Sequence, residues 1–140
     1  MEAAMDLAAL RAFMAAEFPQ VADEMIVDAA DAHGVTLRLV AAERHLRPGG
    51  TISGPAMFGL ADVAVYLAVL QRIGPVKLAV TTSASIDFMR KPPAGVDLLC
   101  TAEVLKLGRQ LAVGDARIRA PGEEAVLARA SMTYAIPPRR

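Results

Sequence analysis

One carboxylate lies inside the longest apolar stretch of the chain, and its position points to chemistry more clearly than any other. Asp62 falls in the segment 51–74, where nearly every residue from 56 to 70 is apolar. A carboxylate in such surroundings is costly unless it is paired, hydrogen-bonded or protonated. Two interpretations follow. Asp62 is either a structural acid that reaches solvent or a backbone donor, or a catalytic acid in an apolar pocket.

The residues just before this stretch form a helix start that can bind a carbonyl oxygen. Ser53 and Gly54 are suitable caps, and Pro55 suits the first turn. The first N–H groups of a helix have no internal partners, so they can stabilise negative charge on an oxygen. Gly54 offers such an N–H without a side chain to block it, whereas Pro55 offers none. At about 1.5 Å per residue, Gly54 and Asp62 lie roughly 12 Å apart, so two antiparallel copies are needed to place both on one carbonyl.

The helix that carries these residues is predicted over 53–73, with Gly74 and Pro75 ending it. It is apolar all round, which is typical of a helix buried on all sides. Its length approaches that of a membrane span, but Asp62 near its middle and the alternating segments that follow favour a core helix. The sequence therefore predicts no membrane partner.

The remaining elements are short and alternate in polarity, which indicates a sheet. Ala112, Gly114 and Ala116 place small residues on one face of one strand, where a helix can approach closely. The last three strands should form an antiparallel meander because the connections between them are short. We expect an α+β fold in which an antiparallel sheet wraps around one long central helix. The predicted elements are a helix over 5–18 closed by Pro19, a hairpin of strands 24–29 and 35–42, and strands 79–89, 97–107, 110–119 and 124–134.

Composition limits the function classes. The 140 residues suggest one domain over 1–140, and 15 basic against 15 acidic residues leave no nucleic-acid footprint. The chain is 54% hydrophobic but only 4% aromatic, which indicates apolar surface that self-association would cover. Cys100, the lone cysteine, is predicted to be a packed small hydrophobe. No metal-ligand spacing and no cofactor-binding fingerprint occurs, and the N-terminus lacks a signal-like core, so the expected location is cytoplasmic.

The segment 45–64, HLRPGGTISGPAMFGLADVA, resembles the signature of the hotdog-fold acyl-CoA thioesterases of the phenylacetate-pathway, PaaI-like type. His45, Gly50, Gly54, Leu60 and Asp62 fall on matching positions, and IDFMRKP at 86–92 resembles the family's third-strand ending. The resemblance implies a hotdog fold and hydrolysis of an acyl-CoA or related thioester, with coenzyme A as part of the substrate and no other cofactor. It also implies a site shared between two subunits of a homodimer or dimer of dimers.

Three positions depart from that signature. Arg47 stands where the family has Asn, Ser53 stands where it has His, and Pro55 replaces its second Gly. Two alternatives to hydrolysis therefore remain: a module that binds an acyl thioester without cleaving it, and a structural subunit of a larger assembly. Whether Asp62 acts as general base or as nucleophile also stays open.

The candidate site residues fall into two groups. Gly54, Asp62 and Ser53 are the candidate catalytic residues, and no metal ligand is predicted. Arg47 either pairs with Asp62 or binds phosphate, and cations after the third strand and at the LGR turn could meet the phosphates of coenzyme A. The candidate substrate-binding residues are His45, Arg47, Gly50, Pro55, Thr81, Thr82, Arg90, Lys91, Lys106 and Arg109.

Overall fold

The computed structural model describes residues 3–138, which form two helices, a hairpin, a long helix and four further strands. A short 3₁₀ turn, Glu43–His45, precedes the long helix. The elements are α1 (Leu7–Glu17), α2 (Pro19–Ala22), β1 (Met25–Asp31), β2 (Gly34–Leu39), α3 (Gly54–Ile73), β3 (Val80–Phe88), β4 (Leu98–Leu107), β5 (Leu111–Arg119) and β6 (Ala128–Ala135).

All six strands belong to one antiparallel sheet in the order β1-β2-β4-β5-β6-β3. The hairpin β1–β2 and the meander β4–β5–β6 are confirmed. The place of β3 was not predicted: it pairs with β6 and forms one edge of the sheet. This α+β arrangement, a sheet around one long helix, is the predicted one.

The central helix α3 begins and ends as its sequence predicts. The hydroxyl of Ser53 accepts a hydrogen bond from the N–H of Ala56 at 3.2 Å, and Gly74, at φ +96°, donates its N–H to the carbonyl of Leu70 at 2.8 Å. Leu60, Leu67 and Leu70 are fully buried. The helix is long and apolar enough to cross a membrane by composition, with mean hydropathy 1.5, but 67% of that window is buried inside this fold.

The sheet approaches α3 most closely where its residues are small. A Cβ added at Gly114 would lie 2.5 Å from Cγ1 of Val65, so a larger residue fits only if the Val65 side chain or the helix moves. Ala112 and Ala116 on the same strand are fully buried. The predicted small-residue face is therefore confirmed as the contact between β5 and α3.

Some boundaries differ from the predicted ones. Asp6 caps α1 by accepting from the N–H of Ala9 at 2.9 Å, so this helix begins at Leu7. The first helix ends at Glu17, ahead of Pro19 as predicted, and Pro19 then opens the four-residue helix α2, because proline is well suited to a first helical position. The strand predicted over 124–134 begins only at Ala128, since residues 124–127 are irregular and bent.

Cys100 is fully buried on β4, as predicted for a packed small hydrophobe. Burial raises the pKa of its thiol to about 12. The thiol is therefore protonated at neutral pH and is a poor nucleophile.

Candidate active site

The loop before α3 is held in place by the buried side chain of His45. The Nδ1 atom of His45 accepts from the N–H of Ala42 at 3.0 Å, and Nε2 lies 3.2 Å from Oε2 of Glu24. The carbonyl of His45 accepts from the N–H of Ser53 at 2.8 Å, at the residue that caps the helix. Both ring nitrogens are thus engaged within the protein, and the imidazole ties the helix start to the residue that precedes β1.

Glu24 is also bound by Arg44, whose guanidinium nitrogen lies 2.6 Å from the same carboxylate oxygen. The hydrogen bond from Arg44 lowers the pKa of Glu24, and the contact with His45 acts in the same direction. Glu24 is therefore ionised at neutral pH, where it can accept from both side chains.

At the first turn of α3, one N–H remains available to a ligand. The hydroxyl of Ser53 occupies the N–H of Ala56, and the carbonyl of Ser53 accepts from the N–H of Met57 at 3.1 Å. Pro55 has no N–H. Among residues 3–138, the N–H of Gly54 donates to no acceptor. This arrangement narrows the candidate oxyanion hole to the single donor of Gly54.

Gly54 opens onto a cavity of about 390 Å³, called here the helix-start pocket. Arg47, Arg90 and Lys91 line it, and none of the three forms an ion pair with a carboxylate in the described part of the chain. The ring of Phe88 also lines it: Cζ lies 3.4 Å from where a Cβ of residue 54 would stand. A positively charged rim thus surrounds a free backbone donor.

Asp62 faces a different cavity, of about 490 Å³, called here the Asp62 pocket. Thr81 of β3 and Tyr134 of β6 both donate hydroxyl hydrogen bonds to its Oδ1 atom, each at 2.6 Å. The Tyr134 hydroxyl also lies 2.8 Å from the backbone oxygen of Asp62. Within residues 3–138, Oδ2 accepts no hydrogen bond, so this atom is the one available for chemistry.

The tyrosine donor keeps its proton at physiological pH. Burial is the main cause that raises the pKa of Tyr134 far above its ordinary value of 10.0, and the hydrogen bond to Asp62 adds to it. A hydroxyl that stays protonated is a permanent donor to the carboxylate. The acid inside the apolar helix is therefore stabilised by two hydroxyls and not by a cation.

The remaining predicted residues are spread over the fold. Thr82 donates to the carbonyl of Thr133 at 3.3 Å, and Gly50, at φ +83°, forms a turn with the carbonyl of Arg47. Lys106 and Arg109 line a third cavity, of about 950 Å³, beside Ile73 at the other end of α3. The chain therefore gathers Arg47, Gly54, Arg90 and Lys91 in one pocket and Asp62 with Thr81 in another, and it leaves Lys106 and Arg109 apart from both.

Neither Tyr134 nor Phe88 was predicted as a site residue. For Tyr134, the sequence did contain a pattern that could have identified it. Ala128, Ala130, Met132 and Tyr134 alternate along β6 and are buried. A tyrosine at the end of such a row faces the helix, where its hydroxyl needs a partner.

In the described range 3–138, no three side chains of the His, Cys, Asp and Glu types cluster closely enough to hold a metal ion.

The sequence matches the thioesterase superfamily over residues 49–134. Its structure superimposes on that of a candidate thioesterase from Silicibacter sp. TM1040 with a TM-score of 0.90 and 55% identity, covering 99% of this chain and 96% of the other. Zebrafish thioesterase superfamily member 2 gives a TM-score of 0.81 with 25% identity over 95% of this chain and 99% of its own. None of the curated proteins matches.

The fold alone is shared with a variant of the phenylacetic acid degradation protein PaaI from Thermus thermophilus. Its TM-score is 0.73 at 24% identity, covering 85% of this chain and 99% of the other. The matched residues 49–134 include the helix start, Asp62 and both of its hydroxyl donors. The chain therefore belongs to the thioesterase superfamily and is a hotdog-fold enzyme of the thioesterase class.

Proposed function

We propose that the protein hydrolyses an acyl-CoA or closely related thioester at a site formed by two copies of the chain. In this proposal, the N–H of Gly54 from one copy binds the thioester carbonyl oxygen, and Asp62 of the other copy acts on the carbonyl carbon. The observation that carries the proposal is the position of the two pockets. They border opposite ends of β3, the strand at the edge of the sheet.

The edge strand explains how two copies would complete the site. Val80 and Thr81 at the start of β3 line the Asp62 pocket, and Phe88 at its end lines the helix-start pocket. An unpaired edge favours addition of another strand. If β3 pairs with β3 of a second copy in antiparallel fashion, the start of each strand lies beside the end of the other. Each Asp62 pocket is then brought next to the helix-start pocket of the other chain.

Exposed apolar side chains along β3 support the same pairing. Val80 is 56% exposed and Phe88 is 54% exposed, and Leu78 and Met89 next to the strand are 70% and 52% exposed. Large apolar side chains clustered at a sheet edge commonly mark an interaction surface. A homodimer, or a dimer of dimers, is therefore part of the proposed function.

The reaction can follow either of two balanced routes. In the first, Oδ2 of Asp62 takes a proton from water while the water oxygen bonds to the carbonyl carbon, and negative charge builds on the oxygen held by Gly54. Collapse of this intermediate breaks the C–S bond, and the thiolate takes up a proton. In the second, Oδ2 itself bonds to the carbonyl carbon and expels the thiolate, and water then hydrolyses the resulting anhydride.

Phosphates of the coenzyme A moiety would be bound by the helix-start pocket. Arg47, Arg90 and Lys91 surround Gly54 there, and cations of this kind suit phosphate oxygens. Lys106 and Arg109 lie beside Ile73 in another cavity. Their predicted contact with phosphates is therefore not part of this proposal.

A non-hydrolytic thioester-binding module is the second candidate. The Ser53 hydroxyl accepts from the N–H of Ala56, and Arg47 is a cation, so these two positions lack the His and Asn that the family resemblance expects. If hydrolysis needs those groups, the same pockets would bind an acyl thioester without cleaving it.

Turnover of a panel of acyl-CoA esters, followed with a thiol reagent, tests the proposal when combined with Asp62→Asn. Asparagine can still accept from Thr81 and Tyr134 through its amide oxygen, so the variant should fold. Its turnover should fall at least about a hundredfold because it lacks a basic oxygen.

Asp28→Asn is the matched control: Asp28 pairs with Arg38 on β2 and lines neither pocket. Full activity in Asp62→Asn would contradict the proposed reaction, and binding of acyl-CoA without turnover by the wild type would support the binding module.

A further inference from the structure

Tyr134 is the residue that fixes the orientation of the Asp62 carboxylate from outside the helix. Its hydroxyl approaches from β6 and lies 2.6 Å from Oδ1, on the same oxygen that Thr81 binds from β3. Two donors from two strands on one oxygen prevent rotation of the carboxylate about its own axis. The orientation leaves Oδ2 as the oxygen that is free to react.

The tyrosine is itself held firmly. Tyr134 is only 3% exposed, and its ring packs against that of Tyr66 with centroids 5.9 Å apart. In the sheet it is paired with Thr81 on one side and Ala112 on the other. A buried hydroxyl on a fixed ring gives the carboxylate a donor that water does not displace.

We propose that Tyr134 is a positioning residue of the thioesterase reaction, which orients the Asp62 carboxylate and keeps Oδ2 free to react. This inference rests on the proposed function, in which Asp62 is the catalytic group. The Tyr134 and Thr81 hydroxyls together hold Oδ1 from two strands. Without the Tyr134 hydroxyl, Thr81 alone holds Oδ1, and the carboxylate should leave its reactive orientation more often.

The other charged and titratable groups near Asp62 are few. Glu17 on α1 and Lys77 before β3 line the same cavity, and they form an exposed ion pair at 3.4 Å. Tyr66 on α3 is the other titratable neighbour, and its hydroxyl donates to the backbone oxygen of Lys77 at 3.0 Å instead of to Asp62. Thr81 and Tyr134 are thus the only described side chains that bond the carboxylate.

The test compares Tyr134→Phe with Tyr66→Phe. Both changes remove one phenolic oxygen from rings in mutual contact, but only the first removes a bond to Asp62. In Tyr134→Phe we expect kcat to fall about tenfold with KM within about twofold, because the lost bond orients a reacting group. Tyr66→Phe should lower kcat much less, because its hydroxyl bonds the backbone oxygen of Lys77 and not Asp62.

A second readout does not depend on turnover. The carboxyl carbon of Asp62, observed by ¹³C NMR at one fixed neutral pH, should have a different chemical shift in Tyr134→Phe than in wild type, because its bond to the Tyr134 hydroxyl is lost. An unchanged chemical shift, or an equal change in Tyr66→Phe, would overturn the inference. If the wild type hydrolyses no thioester, the proposed function fails, and the NMR chemical shift alone then decides whether Tyr134 positions the carboxylate.

Discussion

At the scale of single residues, the question is how an acid is tolerated inside an apolar helix. The Thr81 and Tyr134 hydroxyls both bond Oδ1 of Asp62, so half of the carboxylate is satisfied while the other oxygen is left free. A reacting carboxylate needs one oxygen that substrate or water can reach, and Asp62 lines a cavity.

Gly54 can be tested separately from folding. Its φ is not in the left-handed region, and an added Cβ would meet the Phe88 ring at 3.4 Å, an ordinary contact distance. Gly54→Ala should therefore change stability by less than about 1 kcal/mol, because the helix preference of alanine is offset by the clash of its Cβ with Cδ of Pro55. Turnover should fall at least about tenfold, because the methyl group obstructs the approach of the thioester carbonyl to the N–H.

Gly59→Ala is the matched control for this variant. Gly59 lies in the same helix, and its added Cβ would meet only the Cε of Met25, at 3.9 Å. It should gain up to about 1 kcal/mol of stability, as expected inside a helix, without loss of turnover. Thermal unfolding measures the stability of both variants, and steady-state kinetics measure their turnover. Normal turnover in Gly54→Ala would show that the Gly54 N–H does not bind the thioester carbonyl oxygen.

At the scale of elements, local patterns predict the structure well where neighbouring residues decide it. The apolar run of α3, its Ser53 cap and its Gly74 end are all readable from sequence, and so are the hairpin and the meander. The position of β3 beside β6 depends on pairing between strands far apart in the chain, which alternation does not encode. The two hydroxyl donors to Asp62 could not be assigned from sequence for the same reason. Thr81 and Tyr134 reach the carboxylate only after the sheet has closed around the helix.

His45 shows a different limit of prediction. The family resemblance placed His45 among the candidate substrate-binding residues, whereas here it is 7% exposed and both of its ring nitrogens are engaged. The partner that buries it, Glu24, precedes the first strand and is remote in sequence. A loop histidine with a long-range carboxylate partner cannot be told from a substrate ligand by spacing alone.

The Glu24 cluster predicts a pH dependence of stability. The folded-state pKa of Glu24 is lowered from 4.5, so its contribution to stability is present above pH 4.5 and is lost as pH falls through the lowered value. Glu24→Gln should cost about 0.5 kcal/mol at neutral pH, because the partly exposed pair is screened by water, and the cost should shrink in acid. Glu43→Gln is the control, because Glu43 lies beside Arg44 in the loop before α3 and forms no ion pair within residues 3–138. Chemical denaturation between pH 3 and pH 7 measures both, and a cost that grows in acid would contradict the assignment.

At the scale of the whole molecule, one chain carries two half-sites that do not meet. The helix-start pocket and the Asp62 pocket lie at opposite ends of the edge strand β3, and exposed apolar residues stand at both of these ends. An antiparallel partner at this edge would join each half-site to the other half-site of its partner. The proposed activity is therefore a property of the dimer.

Complementation between two variants tests this shared site most directly. Asp62→Asn and Gly54→Ala, each impaired in its own homodimer, are unfolded, mixed in equal amounts and refolded. Half of the dimers should then be mixed, and each mixed dimer should hold one site with both native residues. The mixture should therefore recover about a quarter of wild-type turnover. Turnover no higher than the mean of the two separately refolded variants, in a sample that light scattering shows to be dimeric, would contradict a site shared between chains.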